Sequence, residues 1–147
     1  MSDESESHEY TVRVDWSHGR EGSMMIEGKP VVEVAAPPEF NGPEGVISPE
    51  DLFVAAAASC FMTTFVTFSM KLRFEYKSFS CTAKGTLERV EKGFQFTKMH
   101  ITANVAVESE DFKHKAERGL ELAGKYCLIS NSMKCETTHE NTVVIIP

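Results

Sequence analysis

Ser48-Pro49-Glu50-Asp51-Leu52-Phe53-Val54-Ala55-Ala56-Ala57-Ala58-Ser59-Cys60-Phe61 is the stretch on which the reading of the fold turns. Ser48 offers a hydroxyl to a free amide, Pro49 suits the first helical position, and Glu50 and Asp51 favour the positive end of the helix dipole. These signals predict a helix from Ser48 to about Leu72. Its faces are nearly all apolar, so it is expected to be surrounded by protein. Leu52 to Met70 is apolar enough to raise a transmembrane question, but Ser59, Thr63, Thr64, Thr67 and Ser69 lie among its small alanines, and a buried core helix fits better.

Strand patterns lie on both sides of this helix. Before it, Tyr10, Val12, Val14 and Trp16 alternate with polar residues, the two-residue period of a half-buried strand. Arg20 to Glu27 and Val31 to Ala35, joined through Gly28-Lys29, complete a predicted antiparallel meander. Ala36 to Ile47 carries Pro37, Pro38, Gly42, Pro43 and Gly45 and reads as a long loop. After the helix, Ser78 to Val90 and Phe94 to Val107 form a predicted hairpin about Glu91-Lys92-Gly93. Ser109 can cap a second helix, in which Phe112, Ala116, Leu120, Ala123 and Cys127 form one apolar stripe. Ser130-Asn131-Ser132 interrupts or re-caps that helical region, and Cys135 to Ile146 supplies a last strand. The fold class is therefore α+β, with a disordered acidic tail over residues 1–9 and a single domain over residues 10–147.

The composition excludes several functions. With 147 residues, 41% of them hydrophobic and 25% charged, the chain is within the globular range. A net charge of −7, without any cluster of Lys and Arg, argues against nucleic acid as a partner. The first nine residues lack the basic start and apolar run of a secretory signal, so a cytoplasmic protein with no membrane partner is expected. Cysteines at 60, 81, 127 and 135 contain no Cys-x-x-Cys pair, and no histidine stands at metal-ligand spacing from another ligand. No metal or cofactor is expected, which leaves thiol chemistry or plain burial.

A free cysteine often packs as a small hydrophobe, and Cys60 and Cys127 each admit that reading. Two inward-facing cysteines on separate helices make a better case together, because they could form a reversible pair. Burial raises a thiol pKa, so a reactive thiolate needs a cation nearby. Arg20, in Gly19-Arg20-Glu21-Gly22, is a basic residue where the backbone can bend close to other structure, although it also reads as an ordinary turn arginine. Glu50 can be simply an acid of the first helical turn. Cys81 and Cys135 read as packing.

Gly19-Arg20-Glu21-Gly22, the Pro- and Gly-containing loop, Ser48-Pro49-Glu50-Asp51-Leu52, Ala57-Ala58-Ser59-Cys60-Phe61 and the late Cys127 together resemble the OsmC/Ohr family of osmotically inducible and organic hydroperoxide resistance proteins. The likeness runs from Tyr10 to Pro147. It implies antiparallel sheets packed on two principal helices, in two chains that interlock as a homodimer with active sites at the interface. It also implies a thiol peroxidase that reduces organic hydroperoxides and is recycled by a dithiol or lipoyl-type reductant. Cys60 then resembles the peroxidatic cysteine, Cys127 the resolving one, Arg20 the activating cation and Glu50 the carboxylate that holds it.

Arg20 in its Gly-Arg-Glu-Gly turn is closer to the Ohr branch, whereas the OsmC branch takes its arginine from the later loop, here Phe40-Asn41-Gly42-Pro43. One departure stands out: the family usually has proline directly after the second cysteine, and this chain has Leu128, which restores a backbone donor and frees φ. Met24, Phe40, Phe53, Phe61 and Ile129 are the expected apolar lining of a substrate pocket. The alternative reading is a non-enzymatic stress or redox-sensing protein, or an apolar-ligand binder, that keeps the fold and the cysteines. Helix geometry adds one constraint. Ten residues separate Glu50 from Cys60, about 15 Å of rise, so one arginine reaching both is more readily shared between two chains than supplied within one.

Overall fold

The structure, a computed structural model, describes residues 6–147. The expected disordered tail falls partly outside the described residues, and residues 6–12 carry no regular secondary structure. The chain divides into two compact units, Met1–Leu52 and Phe53–Pro147.

The first unit is a meander of β1 (Arg13–His18), β2 (Glu21–Met25) and β3 (Val32–Ala35), paired in that order and antiparallel. Gly19, at φ 52°, makes the first turn possible, because that left-handed backbone is strained for a residue with a Cβ. The Trp16 indole N–H closes the turn by donating to the Gly19 carbonyl at 2.9 Å. A strand forms where the alternation predicts one, but it begins at Arg13, leaving Tyr10 and Val12 outside it, and the expected half-burial is absent within the single chain: all six of its residues are exposed, Val14 at 58% and Trp16 at 74%. A turn over Pro38–Phe40 follows, and the loop returns through a parallel bridge between Val34 and Ile47. The helix start is as the sequence predicts. The Asp51 amide donates to Ser48 Oγ at 3.1 Å while the Ser48 amide donates to Asp51 Oδ2 at 3.0 Å, a reciprocal cap that satisfies two otherwise free amides.

Helix α1 (Pro49–Leu72) begins in the first unit and continues into the second. Only Ala57, Phe61, Phe65 and Ser69 are buried along it, one stripe at four-residue spacing. The expectation of a helix surrounded by protein is therefore corrected within the single chain: Met62 is 43% and Met70 73% exposed. By length and composition α1 could also cross a membrane.

In the second unit, β4 (Ser78–Val90) and β5 (Gly93–Val107) form the long antiparallel hairpin, and β6 (Glu136–Ile145) joins β5 in parallel. This sheet is mixed rather than wholly antiparallel. The chain leaves β5, passes through α2 (Glu110–Tyr126) and the short α3 (Leu128–Asn131), and so returns in the direction in which it left. The Ser109 hydroxyl caps α2 by accepting from the Phe112 amide at 3.2 Å. Phe61, Phe65, Met99, Ile101, Val105 and Leu120 are fully buried and join α1 and α2 to one face of the sheet in a single core.

Candidate active site

Cys60 lies on α1 next to the buried stripe, one residue before Phe61, and is partly exposed. Cys127 is fully buried at the break between α2 and α3. Its extended backbone, φ −65° and ψ 109°, ends one helix and starts the next within a single residue. The amides of Leu128 and Ile129 at the head of α3 are thereby left free of helical partners and turn toward the Cys60 sulfur.

The two sulfurs interact with one another, and their acidities move in opposite directions. Burial alone would push the Cys60 thiol up. Hydrogen bonds from the Ile129 amide, the Cys127 thiol, Thr64 and the Leu128 amide outweigh it, and Cys60 lies below the ordinary thiol value of 9.0. The Thr64 hydroxyl lies 3.8 Å from Cys60 Sγ but gives its single proton to the Cys60 carbonyl at 2.7 Å, so it donates to the sulfur only by turning away from that bond. At Cys127 burial again pushes the thiol up. The Ser130 hydroxyl, donating to Cys127 Sγ at 3.4 Å, and the Ser130 amide oppose this, but the adjacent Cys60 reinforces it and Cys127 stays above its ordinary value. Cys60 is thus the more acidic thiol of the pair, and Cys127 the one that holds its proton more tightly and donates to it. Leu128 has a direct part in this, since a proline in its place would remove one of the donors to Cys60.

Cys60 opens onto a cavity of about 690 Å³. Thr63, Thr64 and Thr67 line it from α1 together with Phe68 and Lys71, and Leu122, Tyr126 and Leu128 close the other side. The expected lining is corrected here. Phe61 is fully buried in the core and stacks on His139 at 5.2 Å between ring centroids. Phe53 stacks on Phe96 at 4.6 Å and lines a different cavity, while Met24 and Phe40 belong to the first unit. Ile129 contributes its backbone amide to Cys60 and does not line the cavity. An all-apolar helix has no contrast in its pattern to tell a core face from a pocket face.

The other two predicted site residues lie in the first unit. Arg20 is exposed at the β1–β2 turn and lines a cavity of about 450 Å³ with Val14, Trp16 and Pro49. Glu50 Oε1 is buried and has no hydrogen-bond partner among the described residues. Within one chain Arg20 and Glu50 form no ion pair, and among the described residues no carboxylate pairs with Arg20. The structure therefore brings Cys60 and Cys127 together and leaves Arg20 and Glu50 unpaired.

Comparison with known proteins places the chain in a family. The model of the family described as OsmC-like protein matches residues 42–141, a span that includes Glu50, Cys60 and Cys127. The chain belongs to the OsmC-like family. Among its OsmC relatives, the peroxiredoxin OsmC of Escherichia coli (strain K12) is 31% identical over 99 residues, covering 67% of this chain and 68% of the relative. The uncharacterized protein YmaD of Bacillus subtilis (strain 168) is 21% identical over 131 residues, 86% of this chain and 87% of the relative. An OsmC-like protein of unknown function from Vibrio cholerae superposes with a TM-score of 0.82 at 25% identity, covering 92% of this chain and 99% of that one. An organic hydroperoxide resistance protein from Elizabethkingia anophelis shares the OsmC fold with a TM-score of 0.75 at 21% identity, over 97% of this chain and 99% of that one.

Proposed function

We propose that this OsmC-family chain is a thiol peroxidase that reduces organic hydroperoxides to alcohols. The observation that carries the reading is the pairing of Cys60 and Cys127, in which the more acidic thiol is the partly exposed member beside an open cavity. The peroxiredoxin name of the Escherichia coli relative supports peroxide chemistry in this family.

The Cys60 thiolate attacks the terminal oxygen of the hydroperoxide. A sulfur–oxygen bond forms as the oxygen–oxygen bond breaks, and the departing alkoxide takes up a proton to leave as the alcohol. Sulfur is oxidised to the sulfenic acid by two electrons and the peroxide is reduced by two. Cys127 then attacks the Cys60 sulfur, forming a disulfide and releasing water, which stops further oxidation toward the sulfinic acid. An external dithiol or lipoyl-type reductant reduces the disulfide by thiol exchange and returns both thiols. The apolar side chains of Phe68, Leu122 and Leu128 at the cavity favour an apolar tail on the peroxide over hydrogen peroxide.

In this reading Arg20 donates to the hydroperoxide and Glu50 holds Arg20, with both coming from the partner chain of a homodimer. Within one chain these two groups stay apart, with a buried Glu50 oxygen lacking a partner and Arg20 lacking a carboxylate, so this reading requires their contact to form when the dimer assembles. The uncovered apolar face of β1 and the exposed methionines of α1 support a second copy as their cover. A cytoplasmic location fits the reducing conditions that two free thiols need.

The test is repeated turnover. With cumene hydroperoxide in excess and dihydrolipoamide or dithiothreitol as reductant, the protein is expected to consume many equivalents of peroxide per chain. Oxidation that stops after one equivalent, with a dithiol present, would assign a redox-sensing role instead.

A further inference from the structure

We propose that His139 is a positioning residue for the Cys60–Cys127 couple, its ring acting as the spacer between α1 and α2 that keeps the two sulfurs within reach of each other. The proposal rests on the peroxidase reading above and concerns its second step, the closing of the disulfide.

The ring meets each helix beside its cysteine. On β6, His139 stands in register with the fully buried Ile101, on the face of the sheet that the helices cover. It stacks on Phe61, the residue after Cys60, with 5.2 Å between ring centroids and 29° between the planes. Toward α2 it meets Gly124, in the last turn before Cys127: a Cβ added there would lie 3.1, 3.2 and 3.3 Å from its Cε1, Nε2 and Nδ1. Position 124 has ordinary helical backbone, where glycine is a poorer helix former than alanine. The closeness of the ring accounts for the glycine.

Hydrogen bonding does not account for the histidine. Its Nε2 is buried and has no partner among the described residues. Burial, and after it the nearby His100, hold the imidazole below its ordinary 6.5, so the ring carries no charge at neutral pH. What it supplies is a flat, neutral body of fixed thickness. It also borders a cavity of about 520 Å³ with Glu117, Glu121 and Lys125, so no packed side chain on that side stands ready to replace it.

A spacer matters because Cys127 ends α2 within a single residue, and position 128, where a proline would fix φ, carries leucine. In the closing step the Cys127 sulfur attacks the Cys60 sulfenic acid. A sulfur–sulfur bond forms as the sulfur–oxygen bond breaks, and the oxygen leaves as water with the Cys127 proton. That bond needs Cα atoms about 4.4–6.8 Å apart and Cβ vectors that face each other. The seating of the last turn of α2 against α1 therefore sets how readily Cys127 arrives.

The test separates the two steps in the full-length protein. Reduced protein is mixed with cumene hydroperoxide and stopped with acid at intervals, and the Cys60 and Cys127 peptides are followed by mass spectrometry. In His139→Ala the first oxidation of Cys60 should stay within about twofold of the wild type, while disulfide closing slows by about tenfold and sulfinic acid accumulates. His139→Phe, which keeps a flat ring and loses only an unpartnered nitrogen, should restore closing to within about threefold. Gly124→Ala strengthens the helix but pushes on the ring. It should slow closing too, and do so less in the His139→Ala background than alone, and it decides the question if His139→Ala does not fold. Unchanged closing in both single alanine variants, equal slowing of both steps, or no rescue by phenylalanine would overturn the proposal.

A second readout needs no peroxide. In a glutathione buffer, the equilibrium between the dithiol and the Cys60–Cys127 disulfide should shift about tenfold toward the dithiol in His139→Ala and return in His139→Phe. An equilibrium equal to that of the wild type in His139→Ala would reject the spacer. The expected shifts in a protein that reduces no peroxide would instead reject the peroxidase reading and leave the role of His139 standing.

Discussion

Cys60→Ser is expected to bring dithiol-supported reduction of cumene hydroperoxide down to the rate without protein, and Cys127→Ser to react once and then accumulate overoxidised Cys60. The asymmetry follows from the geometry of the pair. Serine at position 60 keeps the hydrogen bonds of Leu128, Ile129 and Thr64 but has no ionised form near neutral pH, so the amides have no anion to stabilise. Serine at position 127 still donates a hydrogen bond toward Cys60 but cannot close a disulfide. The first oxidation then proceeds, and a second equivalent of peroxide carries the sulfenic acid on to the sulfinic acid. Both changes exchange sulfur for oxygen at nearly constant shape, so the far-ultraviolet circular dichroism of the variants should match that of the wild type. Equal single-turnover oxidation of the wild type and Cys60→Ser would remove Cys60 from the mechanism.

Phe65→Ala is expected to destabilise the protein by about 3–5 kcal/mol, a large part of the roughly 5–15 kcal/mol typical of a folded chain. Phe65 is fully buried on α1, with ring centroids of Phe79, Tyr76 and Phe74 at 4.9, 5.1 and 5.7 Å. Removing its ring opens a cavity enclosed by other rings that cannot close over it. Urea unfolding at one fixed protein concentration measures the loss, and a shift below about 1 kcal/mol would show that this cluster does not hold the core together.

The sequence was most legible where one residue type has one local role. Ser48 and Ser109 cap α1 and α2 as read, and Gly93 turns the long hairpin at a φ of 123°. Direction and cover were harder to read. The parallel entry of β6 depends on the path of the chain through α2 and α3, which has no signature in the strand's own alternation. The period-two pattern located β1 but not its start or its burial, and Val14 and Trp16 are exposed, because periodicity reports that a face needs cover without naming what covers it. The apolar faces of α1 gave no contrast, and Phe61 was therefore assigned to the pocket although it belongs to the core.

The cysteine pair shows the same division. Two thiols on separate helices were visible as a possible couple, but half of the groups that lower Cys60 are backbone amides, which every residue except proline carries. Leu128 in place of the family's usual proline was the one trace of this in the sequence. The donor it restores is directed at the Cys60 sulfur.

The central claim is that Cys60 and Cys127 act as one redox couple, with Cys60 oxidised first. Its most direct test is to treat the reduced protein with one equivalent of cumene hydroperoxide, block the remaining thiols with iodoacetamide, and map the products by mass spectrometry without reduction. The account predicts a single dominant disulfide joining the Cys60 and Cys127 peptides, with Cys81 and Cys135 recovered as alkylated thiols. Oxidation of Cys81 or Cys135 ahead of Cys60, or sulfinic acid at Cys60 with Cys127 still free, would contradict it.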